Sequence, residues 1–314
     1  MINNTIKLNT IQKSDLLLLG EILIDLYTDD QGHKHTLFGG SPANICLNTK
    51  QLGLNPLFVS TIGDDDYGDF LMSQLQKHKI DTRFIKRCDK KTSLVRLNQT
   101  VDSPKPTFFR GCDYNINLSN QLIEAVKKSK IFHFSYWPLT KEPAKSTVMA
   151  LVDIAAENNC IVSFDPNIHK DILDDSSITN EELISLLKKV NIIKPSLDDA
   201  ARLFDFISDK ESYMEKFEDL GINLIMMTLG KDGVYVSNNK KRKHYKTYAK
   251  VIVDSTGAGD AFWSGFYGGF LNNLSIEESI ELGQITSGFA LKQIGAQVDL
   301  PHIDYLKKYM RHDL

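Results

Sequence analysis

The sequence predicts an α/β protein with a mostly parallel central sheet and a small β appendage, and three observations carry that prediction. From Gln121 onward, short apolar runs alternate with helix-like stretches: Ile131 to Phe134, then Lys145 to Asn158, then Ile161 to Phe164. That rhythm implies right-handed βαβ units and a parallel sheet. Next, Asp254-Ser255-Thr256-Gly257-Ala258-Gly259-Asp260 lies between the apolar run Val251-Ile252-Val253 and the helix-like run Ala261 to Leu271. Small flexible residues there let the backbone turn tightly, so that amide N–H groups converge on an anion at the start of a helix. Finally, the stretch from Thr92 to Asp113 is rich in β-branched and aromatic residues and is broken by Pro104 and Pro106, which reads as strands outside the main sheet.

At 314 residues the chain is long enough for one large domain, expected over 1–314. Lys and Arg number 37 against 40 Asp and Glu, so no electrostatic excess points to nucleic acid or an anionic membrane as partner. The cluster Lys240 to Lys243 reads as a solvated hairpin tip. Cys46, Cys88, Cys112 and Cys160 lack metal-ligand or redox-pair spacing, which fits a reducing cytoplasm. Leu16 to Leu19 is too short to span a membrane, and the polar first fifteen residues do not read as a signal peptide.

In chain order, Asp15 to Ile24 reads as the first core strand, which would put Asp25 just past a parallel strand's C-terminal end, where open α/β sheets bind ligands. Residues 26–38 read as a solvated strand or hairpin; His33 and His35 have no third ligand beside them. Gly39-Gly40-Ser41-Pro42-Ala43-Asn44 opens a helix ending near Gly53, with paired glycines for close ligand approach and an amide able to both donate and accept. A strand over Leu57 to Ile62, a turn with Asp64, Asp65 and Asp66, and a helix to His78 follow; the three acids read as structural, since consecutive turn side chains diverge. Ser93 to Asn98 and Thr107 to Gly111 read as strands that, with residues 25–38, form a small β lid. Leu224 to Thr228 reads as a strand and Ser275 to Gln293 as a long helix.

A carboxylate beside an anion cradle is what phosphoryl transfer to an alcohol needs, a base for the hydroxyl proton and donors for the charge on the transferring group. The run from Asp254 to Asp260, followed by Ala-Phe-Trp-Ser-Gly-Phe, resembles the C-terminal signature of the ribokinase-like (PfkB) carbohydrate kinases. Gly39, Gly40, Asn44, Gly53 and Gly63 fall at the spacing of that family's N-terminal signature, and the resemblance covers roughly residues 15 to 300. It implies a three-layer α/β/α sandwich with a β lid, ATP and Mg2+ as cofactors, and transfer of the γ-phosphoryl group to a free sugar. Asp260 would be the base and Gly257, Ala258 and Gly259 the anion hole, with Asp25, Gly39, Gly40, Asn44 and Arg110 on the sugar. Lys194, Ser196, Thr228, Gly230 and Gly233, together with Gly257 and Gly259, would contact the nucleotide, Asp199 would reach magnesium through water, and Asp254 would serve a monovalent cation, K+.

The chain departs from the family pattern at Cys46 (for Ser, Thr or Ala), at His169 (for Arg) and at Ser196 (for Asn). An uncharged imidazole cannot clamp an anion as a guanidinium fork does, which weakens any case for an acidic substrate. Gly20-Glu21-x-x-Ile24-Asp25, Gly-Gly-Ser-Pro-Ala-Asn and Phe108-Phe109-Arg110 look most like fructokinase, ahead of 2-keto-3-deoxygluconate kinase and of ribose or nucleoside kinases. A sugar or nucleotide sensor that has lost its chemistry is the rival from another class. An exposed lid edge would offer two copies a place to pair as a homodimer. No Gly-x-x-x-x-Gly-Lys-Ser/Thr loop, protein-kinase motif, internal repeat or low-complexity tract occurs.

Overall fold

The computed structural model describes residues 14–28, 32–98, 105–174, 176–204, 208–249 and 251–310. Asp29, Asp30 and Pro104, part of the expected lid, lie outside the described residues. The strands are β1 (Ser14–Leu19), β2 (Leu23–Thr28), β3 (Lys34–Gly39), β4 (Pro56–Gly63), β5 (Ile85–Cys88), β6 (Leu94–Asn98) and β7 (Lys105–Phe109). They continue with β8 (Ser129–Ser135), β9 (Ile161–Asp165), β10 (Ile192–Ile193), β11 (Leu224–Thr228), β12 (Val234–Asn238) and β13 (Lys241–Tyr245). The helices are α1 (Ser41–Gln51), α2 (Asp66–Lys77), α3 (Asn120–Lys127), α4 (Ala144–Glu157), α5 (Lys170–Asp174) and α6 (Asn180–Leu187). After these come α7 (Leu197–Phe204), α8 (Lys210–Asp219), α9 (Ala258–Leu271), α10 (Ile276–Ala290) and α11 (Ile303–Leu306).

The chain divides into two compact units, one of residues 1–19 and 117–248 and the other of 20–116 and 249–314. In the first, strands run in the order β13-β12-β11-β10-β9-β8-β1, parallel from β1 to β11 and closed by two antiparallel strands. Its parallel strands are apolar on both faces, as in Leu16 to Leu19 and Ile161 to Phe164, all buried, which is what helices on both sides require. The β12–β13 hairpin turns at Asn239 and Lys240, both at positive φ (49° and 64°). The tip is exposed as expected, but Arg242 is not a free surface cation: its guanidinium pairs with Glu218 at 2.6 Å and Glu211 at 2.9 Å.

In the second unit, strands from the segments expected to build the lid form a four-stranded sheet of order β3-β2-β6-β7. Beside it in the same unit, β4 and β5 pair in parallel, and α9 packs along α10 and α1. The expected strand over Asp15 to Ile24 is two strands: β1 stops at Leu19, and the chain resumes as β2 in the other sheet. Asp25 therefore sits mid-strand, opposite Leu37 in β3 and Val95 in β6, rather than beyond the end of a parallel strand. The Gly20-Glu21 step breaks the run because the Glu21 carboxylate turns inward to the start of α1, and a continuous apolar strand has no place for it.

Cysteine spacing gave no sign of a pairing, yet Cys88 and Cys112 form a disulfide, while Cys46 and Cys160 are buried and free. Among the described residues no helix is long and apolar enough to cross a membrane.

Candidate active site

Helix α9 starts at Gly257, whose φ of 74° is the left-handed region that an L side chain resists. Space forbids a side chain as well, since a Cβ would lie 2.7 Å from the Ala296 backbone. No side chain caps this helix, and the Ala258 N–H donates to the Ser255 carbonyl at 3.2 Å; the positive end of the helix dipole here favours an anion. Asp260 stands in the first turn, where the helix dipole favours the carboxylate.

Two donors from the start of α1 meet that carboxylate. Ser41 Oγ donates to Oδ1 at 2.7 Å and Asn44 Nδ2 donates to Oδ2 at 2.9 Å. Residues three apart on a helix share a face, so the signature asparagine carries the serine with it. Asn44 is 4% exposed, and its Oδ1 has no partner in the protein. The loop into α1 is held from below: Ser41 N–H donates to Glu21 Oε1 at 3.1 Å, and a Cβ on Gly40 would stand 2.4 Å from the Glu21 carbonyl oxygen. Gly39 is constrained in another way, because a Cβ there would fall 2.3 Å from Asp25 Oδ2. The run Gly39-Gly40-Ser41 thus links the Asp25 carboxylate to that of Asp260. Burial pushes the Asp25 carboxyl up to about 6.

Arg110 follows β7, and its Nε and Nη2 reach Asp113 Oδ2 at 2.8 and 2.5 Å. Both side chains are buried, and Asp113 Oδ1 also accepts from Ser93 Oγ and from Gly111 N–H. The guanidinium is therefore anchored by a carboxylate three residues on, a partner the sequence reading did not single out. By the strand register, Asp25, Val95 and Phe108 share one face of the four-stranded sheet. A cavity of ≈ 280 Å³ lined by Leu26, Leu94, Arg96, Phe109 and also Arg110 opens on the opposite face, so Arg110 borders a space that the face carrying Asp25 does not line.

Asp254 does not lie bare. Its Oδ1 accepts from Thr256 N–H and Oγ1, its Oδ2 from Gly295 N–H at 2.8 Å. Burial works to raise its carboxyl, and these bonds outweigh it and hold it below its usual range. Three accepted bonds leave about one lone-pair site of roughly four, so Asp254 suits an anchor for the loop better than a direct cation ligand. Val251, Ile252 and Val253, just before it, are 55, 61 and 57% exposed.

In the first unit the expected nucleotide residues gather at the C-terminal ends of parallel strands, the ligand edge of an open α/β sheet. Ser196 bridges Thr228, Thr228 N–H donates to the Pro195 carbonyl at 2.9 Å, and Lys194 Nζ lies 3.5 Å from the buried Asp165. Gly230 is open, with φ 57° and nothing where a Cβ would point, while Gly233 packs against the Tyr245 carbonyl. Asp199 closes the start of α7: Oδ2 accepts from Ser196 N–H and Oγ, and Oδ1 from Ile168 N–H at 2.7 Å. His169 is half-buried, and burial chiefly holds its imidazole below its usual range, with Arg202 adding to this and Asp171 opposing it. Among the described residues no three His, Cys, Asp or Glu side chains group to hold a metal.

Sequence reasoning missed Ser41, Glu21 and Asp113. Ser41 was within reach, since it precedes Asn44 by three residues on the same helix; Glu21 and Asp113 gave no such signal.

Comparison with known proteins places this geometry in a family. The model of the pfkB family carbohydrate kinases matches residues 13–303. The chain is 43% identical over 302 residues to the ATP-dependent 6-phosphofructokinase of Thermoanaerobacterium thermosaccharolyticum, covering 94% of each chain. It is 28% identical over 304 residues to the fructokinase of Klebsiella pneumoniae, covering 93% of this chain and 97% of that one. A double mutant of the fructokinase from Vibrio cholerae O395, solved with fructose, ADP and potassium, superposes with a TM-score of 0.82 at 22% identity, covering 96% of this chain and all of that one. With one family model running through both units and a relative of this identity aligned almost end to end, the chain belongs to the pfkB family of carbohydrate kinases.

Proposed function

We propose that the protein transfers the γ-phosphoryl group of ATP to a hydroxyl of a fructose unit, with Asp260 as the base. The single observation that carries this reading is the Asp260 carboxylate in the first turn of α9, with Ser41 Oγ donating to one oxygen and Asn44 Nδ2 to the other. The acceptor hydroxyl gives its proton to Asp260 as its oxygen bonds the γ-phosphorus. The bond from that phosphorus to the bridging oxygen breaks, and ADP keeps the electron pair. The amides at the start of α9 take up charge spreading over the transferring group. Asn44 Oδ1, buried without a protein partner, accepts from an acceptor hydroxyl, and Asp25 accepts from another. Lys194, Ser196, Thr228 and Gly230 hold the nucleotide. Magnesium, when bound, supplies neutralising charge on the β- and γ-phosphates.

The sequence pattern favoured free fructose, in line with the fructokinase named above. A second reading, fructose 6-phosphate, is favoured by the higher identity to a 6-phosphofructokinase and by the carboxylate-anchored Arg110, a fork suited to an anion. Pairing of two copies through the four-stranded sheet fits Phe109, 46% exposed on β7.

A coupled ADP-release assay with fructose, fructose 6-phosphate, ribose, 2-keto-3-deoxygluconate and nucleosides separates these readings by kcat/KM. Asp260→Asn is expected to lower kcat by about 10²–10⁴-fold with the preferred acceptor. Turnover with no member of the panel would favour the sensor, and full turnover by Asp260→Asn would refute the base.

A further inference from the structure

We propose that Ser41 is a positioning residue for phosphoryl transfer, fixing the Asp260 carboxylate through its hydroxyl. The inference rests on Asp260 as the base. Serine beside a helix start ordinarily caps that helix by accepting from a backbone amide. Ser41 does not: no side chain caps α1, and the hydroxyl instead crosses to α9, 219 residues away in sequence.

Its backbone is fixed by two independent contacts. Glu21, 3% exposed, takes the Ser41 N–H, and the preceding Gly40 is pressed onto the Glu21 carbonyl, a fit only glycine allows. Pro42 then locks the first turn. Ser41 itself is 6% exposed, so its hydroxyl has little freedom to turn to solvent.

The Ser41 and Asn44 donors on Asp260 are not equivalent. Asn44 carries a second polar atom, the unpartnered Oδ1, and is shared between the base and the acceptor. The Ser41 hydroxyl bonds Oδ1 of the base, on the side away from Asn44's bond. Together they stop the carboxylate from rotating, Ser41 holding Oδ1 while Asn44 holds Oδ2, the oxygen next to the amide that meets the acceptor. Throughout the step Ser41 keeps its own proton; after transfer, Oδ1 of the neutral acid still accepts the same bond. A hydrogen bond to a charged group matters most where that group must stay aligned while charge moves.

The test is steady-state kinetics of Ser41→Ala and Ser41→Thr with ATP and the preferred acceptor, alongside thermal melting. Ser41→Ala is expected to lower kcat by about 10- to 100-fold, the span of one hydrogen bond to a charged group, with the acceptor KM within about twofold. Ser41→Thr, which keeps the hydroxyl, restores most of the rate. The losses from Ser41→Ala and Asp260→Asn are non-additive in the double variant, because the serine acts through the aspartate. A merely structural serine would give lower melting, a raised KM and an unchanged kcat, and that pattern overturns the proposal, as does Ser41→Thr running as slowly as Ser41→Ala in equally stable proteins. Should Ser41→Ala fail to fold, Ser41→Cys replaces it: a slow cysteine beside a fast threonine supports the role, and equal rates overturn it. Asp260→Asn at full rate sinks the base and Ser41 together, whereas a slow Asp260→Asn beside a full-rate Ser41→Ala sinks Ser41 alone.

Discussion

Replacing Asp25 with asparagine is expected to stabilise the fold while weakening the sugar site, and the structure sets the size and pH window of the effect. Burial raises the Asp25 carboxyl from an ordinary 3.8 to about 6. The folded chain therefore binds more protons than the unfolded one between these values, and stability falls as pH rises through that window. Below 3.8 the group is neutral in both states and costs nothing; above about 6 the full penalty of burying the anion is present. At about 1.36 kcal/mol per decade, the penalty reaches up to about 3 kcal/mol, or about 4 °C in melting temperature for a chain of this length. Asn keeps the shape above Gly39 and removes the charge. Melting curves of wild type and Asp25→Asn from pH 4.5 to 8 should show the mutant's advantage growing through pH 6 and then levelling. In the same samples kcat/KM for the acceptor should fall by about 10²-fold, since an amide accepts sugar hydroxyls less strongly than a carboxylate. A stability difference that stays flat with pH, or a mutant less stable at pH 8, would refute the reasoning.

Gly39→Ala should raise the acceptor KM by about tenfold with kcat nearly kept, because its Cβ would land 2.3 Å from Asp25 Oδ2 and displace that carboxylate; an unchanged KM would show that the carboxylate is not tied to that site. Asp113→Ala leaves the buried Arg110 guanidinium without its carboxylate and should cost about 3–5 kcal/mol in urea unfolding, and a cost under about 1 kcal/mol would mean that the pair is not desolvated as its burial indicates.

The sequence held most of the architecture, because its periodicities are local. Apolar runs buried on both faces, such as Ile161 to Phe164, announce parallel strands wherever they fold, and the turn chemistry of Gly257 is written in the chain next to Asp260. The boundary inside residues 15–24 was not legible, since one apolar run can serve two sheets and only packing decides where it breaks. The sequence offered Asp199 as a group reaching magnesium through water; that its carboxylate also accepts from Ile168 N–H, 31 residues away, only the fold decided. The same reason separates Arg110, whose position the sequence marked, from Asp113, which anchors it. What the chain determined by itself was which residue types stand at each turn and face. What tertiary structure alone decided was which distant groups meet, as Ser41 meets Asp260 and Cys88 meets Cys112, because a side chain's partner across the fold leaves no periodic trace in sequence.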